Sequence, residues 1–225
     1  VIRNALPAIS TEMAVDLQRT SYNMIIYEVR DFCTALVDPE GRLVSQNVGG
    51  VSHFVADLGA IIVDGMEKIG RDGYKEGDVI ITNHQAVAGQ HLNNIAIYMP
   101  YFFKGELLMF TIVRAHWIDV GGMVVGSCSI NSTEIAQEGF QFRSIRLWQK
   151  GEACRDIYSI IESNTRFPRM LLGDIQAQLS TFDPGSDLSR LHAAPPGTRQ
   201  RGQARIVPAI DVLIVDQLYQ LGFGQ

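Results

Sequence analysis

An α+β fold, with an N-terminal helix packed on mostly antiparallel strands and helices on the C-terminal side, follows from three features of the sequence. Apolar residues recur at spacings of three and four near the start, over 52–69 and again over 156–179. Between these stretches, β-type runs alternate with turn-forming residues. The two longest runs, 95–103 and 107–116, are joined only by Lys104-Gly105-Glu106. A connection that short permits antiparallel pairing and no crossover.

Taken in order, residues 10–31 read as a helix. Ser10 or Thr11 can cap it, and Met13, Leu17, Thr20, Met24 and Tyr27 form its stripe. Residues 34–38 and 42–46 form a hairpin around the turn DPEG, where Pro39 and Gly41 supply the geometry. Ser52 can cap a second helix whose apolar stripe is Phe54, Leu58, Ile61, Ile62, Met66 and Ile69. A turn-rich GRDGYKEGD precedes a short buried strand at 79–82. Thr111 is the sole polar residue of 107–113, which predicts a strand covered on both faces. Strand alternation puts Phe110, Ile112, Arg114 and His116 on one face. Residues 144–149 form a further strand, and helices follow at 156–163 and 169–179, the second opened by Pro168. From 181 the texture changes to a Pro-, Gly- and Arg-rich stretch, with apolar character returning only over 206–219. Residues 1–180 are thus expected to be the folded unit and 181–225 an atypical tail, disordered or frame-shifted.

The chain has 225 residues, 46% hydrophobic and 19% charged. A charged share below the usual ~25% excludes disorder and points to surface reserved for another subunit. A net charge of −5 leaves no electrostatic footprint for nucleic acid or an anionic membrane. Cys33, Cys128 and Cys154 contain no C-x-x-C pair, so reduced thiols in a cytoplasmic protein are expected. No apolar run approaches the ~18–20 residues that span a bilayer, and the start carries no secretory signal. The chain begins with Val rather than Met, as a fragment would.

Histidines gather between positions 53 and 116, at His53, His84, His91 and His116. Pairing through the turn at Gly105 sets opposite each other positions that sum to about 210, so His116 lies near Asn94. His91 and Asp119 then approach the same open end of the hairpin. Histidine and carboxylate side chains suit a divalent ion such as Zn²⁺ or Mn²⁺. The plainer alternatives are a hydrogen-bonded strand-end histidine and an aspartate that forms a turn. Asp31 is a weaker further candidate, with pairing to Arg30 or Arg19 as its structural alternative. His53 and His84 read as structural, at a helix start and in a loop. Arg114 can hold an anion or pair with an internal acid, and Ser127 and Ser129 flank Cys128 as candidate substrate contacts or nucleophiles. No G-x-G-x-x-G or Walker pattern occurs, so no nucleotide site is legible.

The strings TEMAVDLQRTSYNMIIYEVRDFCTALVDPEGRLVSQ, GDVIITN, GQHLNN, RAHWIDVGG, TEIAQEGF and NTRFPRMLLGDIQAQ run in order across residues 5–180. Together they resemble the hydantoinase B/oxoprolinase family, whose members include subunits of ATP-dependent hydantoinases, 5-oxoprolinases and acetone-type carboxylases. The resemblance implies a cyclic amidohydrolase subunit acting at a divalent metal, on a substrate activated by a hydantoinase A-type partner that uses ATP. It implies a hetero-oligomer. Carried over by position, the metal ligands are Asp31, His91, His116 and Asp119, and His91, His116 and Asp119 are the catalytic set. Departures are informative. Asn94 stands where hydantoinase-like members carry an acid, and HQAVAGQ is closer to carboxylase-like relatives, whereas GSCSINSTEIAQEGF is closer to the hydantoinase type. An alpha-type subunit of an acetone or acetophenone carboxylase is therefore the alternative, and an inactive structural fragment of a larger subunit the third.

Overall fold

The computed structural model describes residues 2–88, 90–127 and 129–182. Among them, one antiparallel sheet of seven strands lies between helices on its two faces. The strands are β1 (Phe32–Val37), β2 (Leu43–Gln46), β3 (Val79–Thr82), β4 (Asn94–Phe103), β5 (Glu106–His116), β6 (Ile145–Gln149) and β7 (Glu152–Ala153). Their order across the sheet is β2-β1-β5-β4-β3-β6-β7. The helices are α1 (Ile2–Thr20), α2 (Met24–Tyr27), α3 (Ser52–Ile69), α4 (Gln85–Ala88), α5 (Arg155–Ser163) and α6 (Pro168–Ser180). The α+β class and the antiparallel pairing expected from the sequence are both observed. The expectation for the tail falls on residues outside the described ones from 183 onward, as do Cys128 and Gly89.

Turn chemistry builds the central hairpin. Lys104 (φ 51°) and Gly105 (φ 85°) both adopt left-handed backbone, the two-residue turn whose twist matches that of paired strands. The pairing it starts runs from Phe103 opposite Glu106 to Asn94 opposite His116, with one irregularity between Tyr101 and Phe102. On the other side β5 pairs with β1, Phe32 opposite Ala115 and Val37 opposite Phe110. After its first residue β5 is buried throughout, because each sheet face carries its own helical cover.

Alternation sorts the side chains between two cores. One face meets Met13 and Leu17 of α1 and Leu171, Ile175 and Leu179 of α6, packed with Leu36, Ile95, Ile97, Val113 and Trp117. The other meets Phe54, Leu58, Ile61 and Ile62 of α3, packed with Ala35, Val37, Tyr98, Phe110 and Ile112. The helix α3 approaches the β1–β2 turn very closely. A Cβ on Gly59 would stand 2.3 Å from the Gly41 carbonyl oxygen, so only glycine fits there.

The first helix departs from its expected bounds. It starts at Ile2 and ends at Thr20. Ser10 is no cap: it is buried mid-helix, and its hydroxyl donates to Ser45 Oγ (3.2 Å) and to the Leu6 carbonyl (3.4 Å). The chain then turns through Ser21–Asn23, and the Asn23 side chain caps α2 by accepting from Ile25 N at 3.0 Å. Asp174 of α6 secures this turn by accepting from Tyr22 N (2.8 Å) and Asn23 N (3.1 Å).

Asp174 is fully buried, and its Oδ2 has no partner. Burial pushes its carboxyl up to about 6, against the pull of the two N–H groups. The unfolded chain releases this proton near 3.8, so between these values the native state holds more protons and stability falls as pH rises. We expect Asp174 to cost on the order of 2–3 kcal/mol as pH rises from 4 to 7. Asp174→Asn, which keeps the acceptor without the charge, should flatten that dependence; urea unfolding from pH 4 to 7 measures it.

Candidate functional site

The open end of the β4–β5 hairpin is held by amide side chains. Asn93 Nδ2 donates to the Trp117 carbonyl at 2.8 Å, and Trp117 N donates back to the Asn93 carbonyl at 2.8 Å. Asn83 Nδ2 fixes the Leu92 carbonyl at 2.8 Å. Between these clamps His91 is brought to His116, with ring centroids 4.9 Å apart and planes inclined by 57°. The His116 backbone is tied on both sides. Its N–H donates to the Asp31 carbonyl (3.1 Å), and its carbonyl accepts from Asn23 Nδ2 (3.0 Å).

The two rings share a pattern. His91 Nε2 meets Asn94 Nδ2 at 3.2 Å and His116 Nε2 meets Ser127 Oγ at 3.1 Å, while both Nδ1 atoms are buried without a partner. Burial, then the neighbouring His116 and Arg114, pushes His91 down to about 4. Burial also lowers His116, with the negative charge of Asp31 working against it. Both imidazoles are therefore uncharged at neutral pH, the form that ligates metals.

Asp119 is placed differently. It is fully buried, and four donors occupy its oxygens. Oδ1 accepts from Arg166 Nη1 (2.7 Å) and Gly121 N (3.2 Å); Oδ2 accepts from Arg166 N (2.6 Å) and Thr165 Oγ1 (3.3 Å). These account for about all the lone pairs a carboxylate offers. Arg166 also donates to the Gly122 carbonyl, so the pair stitches the loop after β5 to the α5–α6 connection. Among the described residues no group of three or more His, Cys, Asp or Glu is gathered for a metal ion. The residues present fit a divalent ion in part: two imidazoles with unpartnered Nδ1 atoms suit Zn²⁺ or Mn²⁺, the charge of Asp31 reaches His116, and Asp119 is spent on Arg166. We expect Asp119→Asn to lower the unfolding free energy by about 1–3 kcal/mol, since its partner is partly exposed. Its metal content, measured by elemental analysis, should stay at the wild-type level.

The other candidates are located as follows. Arg114 is fully buried, pairs with Asp57 Oδ2 at 3.1 Å and lies 5.1 Å above the Phe54 ring, with Nε and Nη2 unpartnered. Ser127 and Ser129 line a small cleft of mixed polarity with Asn93, Met123, Val124 and Glu138. His53 lies in the first turn of α3, its ring edge-on to Phe54. His84 precedes α4 and its carbonyl accepts from Val87 N and Ala88 N. Cys33, buried opposite Arg114, and Cys154 are free thiols. Arg166, Asp57, Gln90 and Asn23 were not legible as site residues from spacing. Arg166 and Asn23 do lie inside the strings NTRFPRM and TSYN, but nothing in the sequence names their partners.

Residues 1–193 match the family model described as Hydantoinase B/oxoprolinase. The chain is 30% identical over 188 residues to the caprolactamase subunit beta of Pseudomonas jessenii, covering 82% of this chain and 32% of that one. The crystal structure of that organism's ATP-dependent caprolactamase superposes with a TM-score of 0.73 at 25% identity, over 97% of this chain and 34% of that one. The 5-oxoprolinase of Saccharomyces cerevisiae is 36% identical over 193 residues, 80% of this chain and 15% of that one. A nucleotide-free acetone carboxylase structure shares the fold, with a TM-score of 0.73 at 18% identity over 80% of this chain and 24% of that one. The chain thus spans about a third or less of the length of these proteins.

Proposed function

The chain belongs to the hydantoinase B/oxoprolinase family, and on that premise we propose that it is the metal-site portion of an ATP-dependent cyclic amide hydrolase. The observation that carries this reading is the meeting of His91 and His116 at the open end of the central hairpin, each with a buried Nδ1 that has no partner. His91 and His116, with the carboxylate of Asp31, would hold the divalent ion. Such an ion supplies Lewis-acid polarisation of a substrate oxygen.

The chain's own residues do the rest. The amide clamps of Asn83 and Asn93 hold the His91 loop rigid. Asn23 and the Asp31 carbonyl fix the His116 backbone, and Ser127 brings a hydroxyl from the cleft to the His116 ring. An unstrained lactam is a poor electrophile until its oxygen becomes a leaving group. Activation by ATP therefore falls to a hydantoinase A-type partner; the caprolactamase relative is likewise named as one subunit of its enzyme. No helix among the described residues is long and apolar enough to cross a membrane.

The test uses the full-length protein with its A-type partner. ATP-dependent ring opening of 5-oxoproline, hydantoin or caprolactam is the expected result. Acetone- and bicarbonate-dependent ATP consumption without any ring opening would overturn it in favour of the carboxylase alternative, which HQAVAGQ and the shared acetone carboxylase fold support.

A further inference from the structure

We propose that Glu138 confers specificity for cyclic amides: its carboxylate accepts the ring N–H in the cleft beside the histidine pair, while Met123 and Val124 take the methylene face of the ring. The inference deepens the reading of the chain as part of a cyclic amide hydrolase, and takes its substrate class from that reading.

Backbone contacts fix the position of Glu138. Residues 135–138 form one short 3₁₀ turn, and the chain around it runs antiparallel to the loop after β5. Met123 N donates to the Gln137 carbonyl at 2.8 Å, Phe140 N donates to the Val120 carbonyl at 2.9 Å, and Gly121 pairs with Gly139 between them. The approach leaves no room for side chains. A Cβ on Gly122 would lie 2.4 Å from the Glu138 carbonyl oxygen, and one on Gly139 would lie 2.1 Å from that of Val120. Gln137 locks the turn, its Oε1 accepting from Thr133 N (2.6 Å) and Glu134 N (3.2 Å). Glu138 is thereby held on the wall of the cleft whose Ser127 hydroxyl reaches His116 Nε2 at 3.1 Å.

What this carboxylate lacks is donors. An ionised carboxylate offers about four acceptor positions. Asp119 meets four donors, and Asp64 and Asp78 meet three each. Glu138 meets one among the described residues, Leu92 N, at 3.4 Å from Oε2. That is longer than the usual ~2.7–3.2 Å, and Oε1 accepts nothing. The cleft holds about 200 Å³ of open space, less than the ~300–1,000 Å³ of pockets for drug-sized ligands, which suits one small ring. Met123 and Val124 expose apolar side chains along it. The Ser132 hydroxyl, buried in its wall without a partner, is a donor left for a ring oxygen. A lactam brings an N–H next to methylenes and so answers both walls, whereas a ketone has no N–H to give Glu138.

The experiment uses the full-length protein with its A-type partner, and compares caprolactam with N-methylcaprolactam. Wild type should open caprolactam with a kcat/KM at least ~10-fold above that of the N-methyl compound. Glu138→Leu, of similar size and without an acceptor, should lower caprolactam turnover by about 10–100-fold and bring the two substrates level. Glu138→Gln, which keeps an acceptor oxygen, should retain most of the preference. A merely structural residue would lower both substrates in proportion; that result overturns the proposal, as does a wild type that treats them alike. Saturation-transfer NMR on the same assembly without ATP reads caprolactam binding apart from turnover. Binding that weakens ~10-fold in Glu138→Leu, with no ring opening by wild type, keeps the cleft assignment and removes the hydrolase reading. Ring opening with neither affinity nor preference altered in Glu138→Leu does the reverse.

Discussion

His116→Ala is expected to strip the protein of bound divalent metal and to lower ATP-dependent ring opening by the assembled enzyme at least ~100-fold. The effect should be local. Two ties of residue 116, from its N–H to Asp31 and from Asn23 to its carbonyl, are made by backbone and survive the change, while the Ser127 contact of the ring is lost. What disappears is the imidazole that faces His91 at 4.9 Å. Elemental analysis together with a thermal melt separates the two possibilities. A variant that melts near wild type and retains full metal would sink the assignment of the site.

Trp117→Ala is expected to destabilise the fold by about 3–5 kcal/mol, a large share of a typical 5–15 kcal/mol total. One residue beyond β5, Trp117 is fully buried in the core that α1 and α6 share with the sheet. Its indole Nε1 donates to Gln178 Oε1 at 2.7 Å, and Gln178 in turn donates to the Ile95 carbonyl at 3.3 Å. Truncation empties an indole-sized volume and leaves a buried amide oxygen without its donor. Trp117→Phe, which keeps most of the volume and loses only the hydrogen bond, should cost about 1–2 kcal/mol. Urea midpoints of the three proteins measure both terms; equal midpoints for wild type and Trp117→Ala would contradict the packing described.

What could be read in advance depended on distance along the chain. The turn at Lys104-Gly105 dictates the β4–β5 register, so the meeting of His116 with Asn94 was legible, and with it the approach of His91. The stripe over 52–69 named the buried face of α3 because helical periodicity is a local property. The start of α1 was misread for a physical reason: a serine before an apolar stripe has the chemistry of a cap, and only Ser45, far along the chain, shows that Ser10 is buried in mid-helix. Asp119 illustrates the same limit at the site. Spacing put its carboxylate at the hairpin's open end, whereas its oxygens are taken by Gly121 and by Thr165 and Arg166 of the α5–α6 connection. The chain of hydrogen bonds that links Asp57, Gln90 and Asn94 depends on the α3 face docking against the loop before β4, which no short-range pattern encodes.

The placement of β5 between β1 and β4 also governs how the molecule is made. Phe32 of β1 finds Ala115 roughly eighty residues later in the sequence, a separation that slows folding by the entropy of closing so long a loop. As the chain is made, the residues of β1 and β2 emerge well before β5, and β1 then has an unpaired edge. That edge stays open until the β4–β5 hairpin has emerged, several seconds later at ordinary synthesis rates of roughly 5–20 residues per second. The docking of β1 onto β5 also joins the Asp31 carbonyl to the His116 N–H. The tie of Asp31 to His116 and the pairing of the inner edge of β1 thus form together.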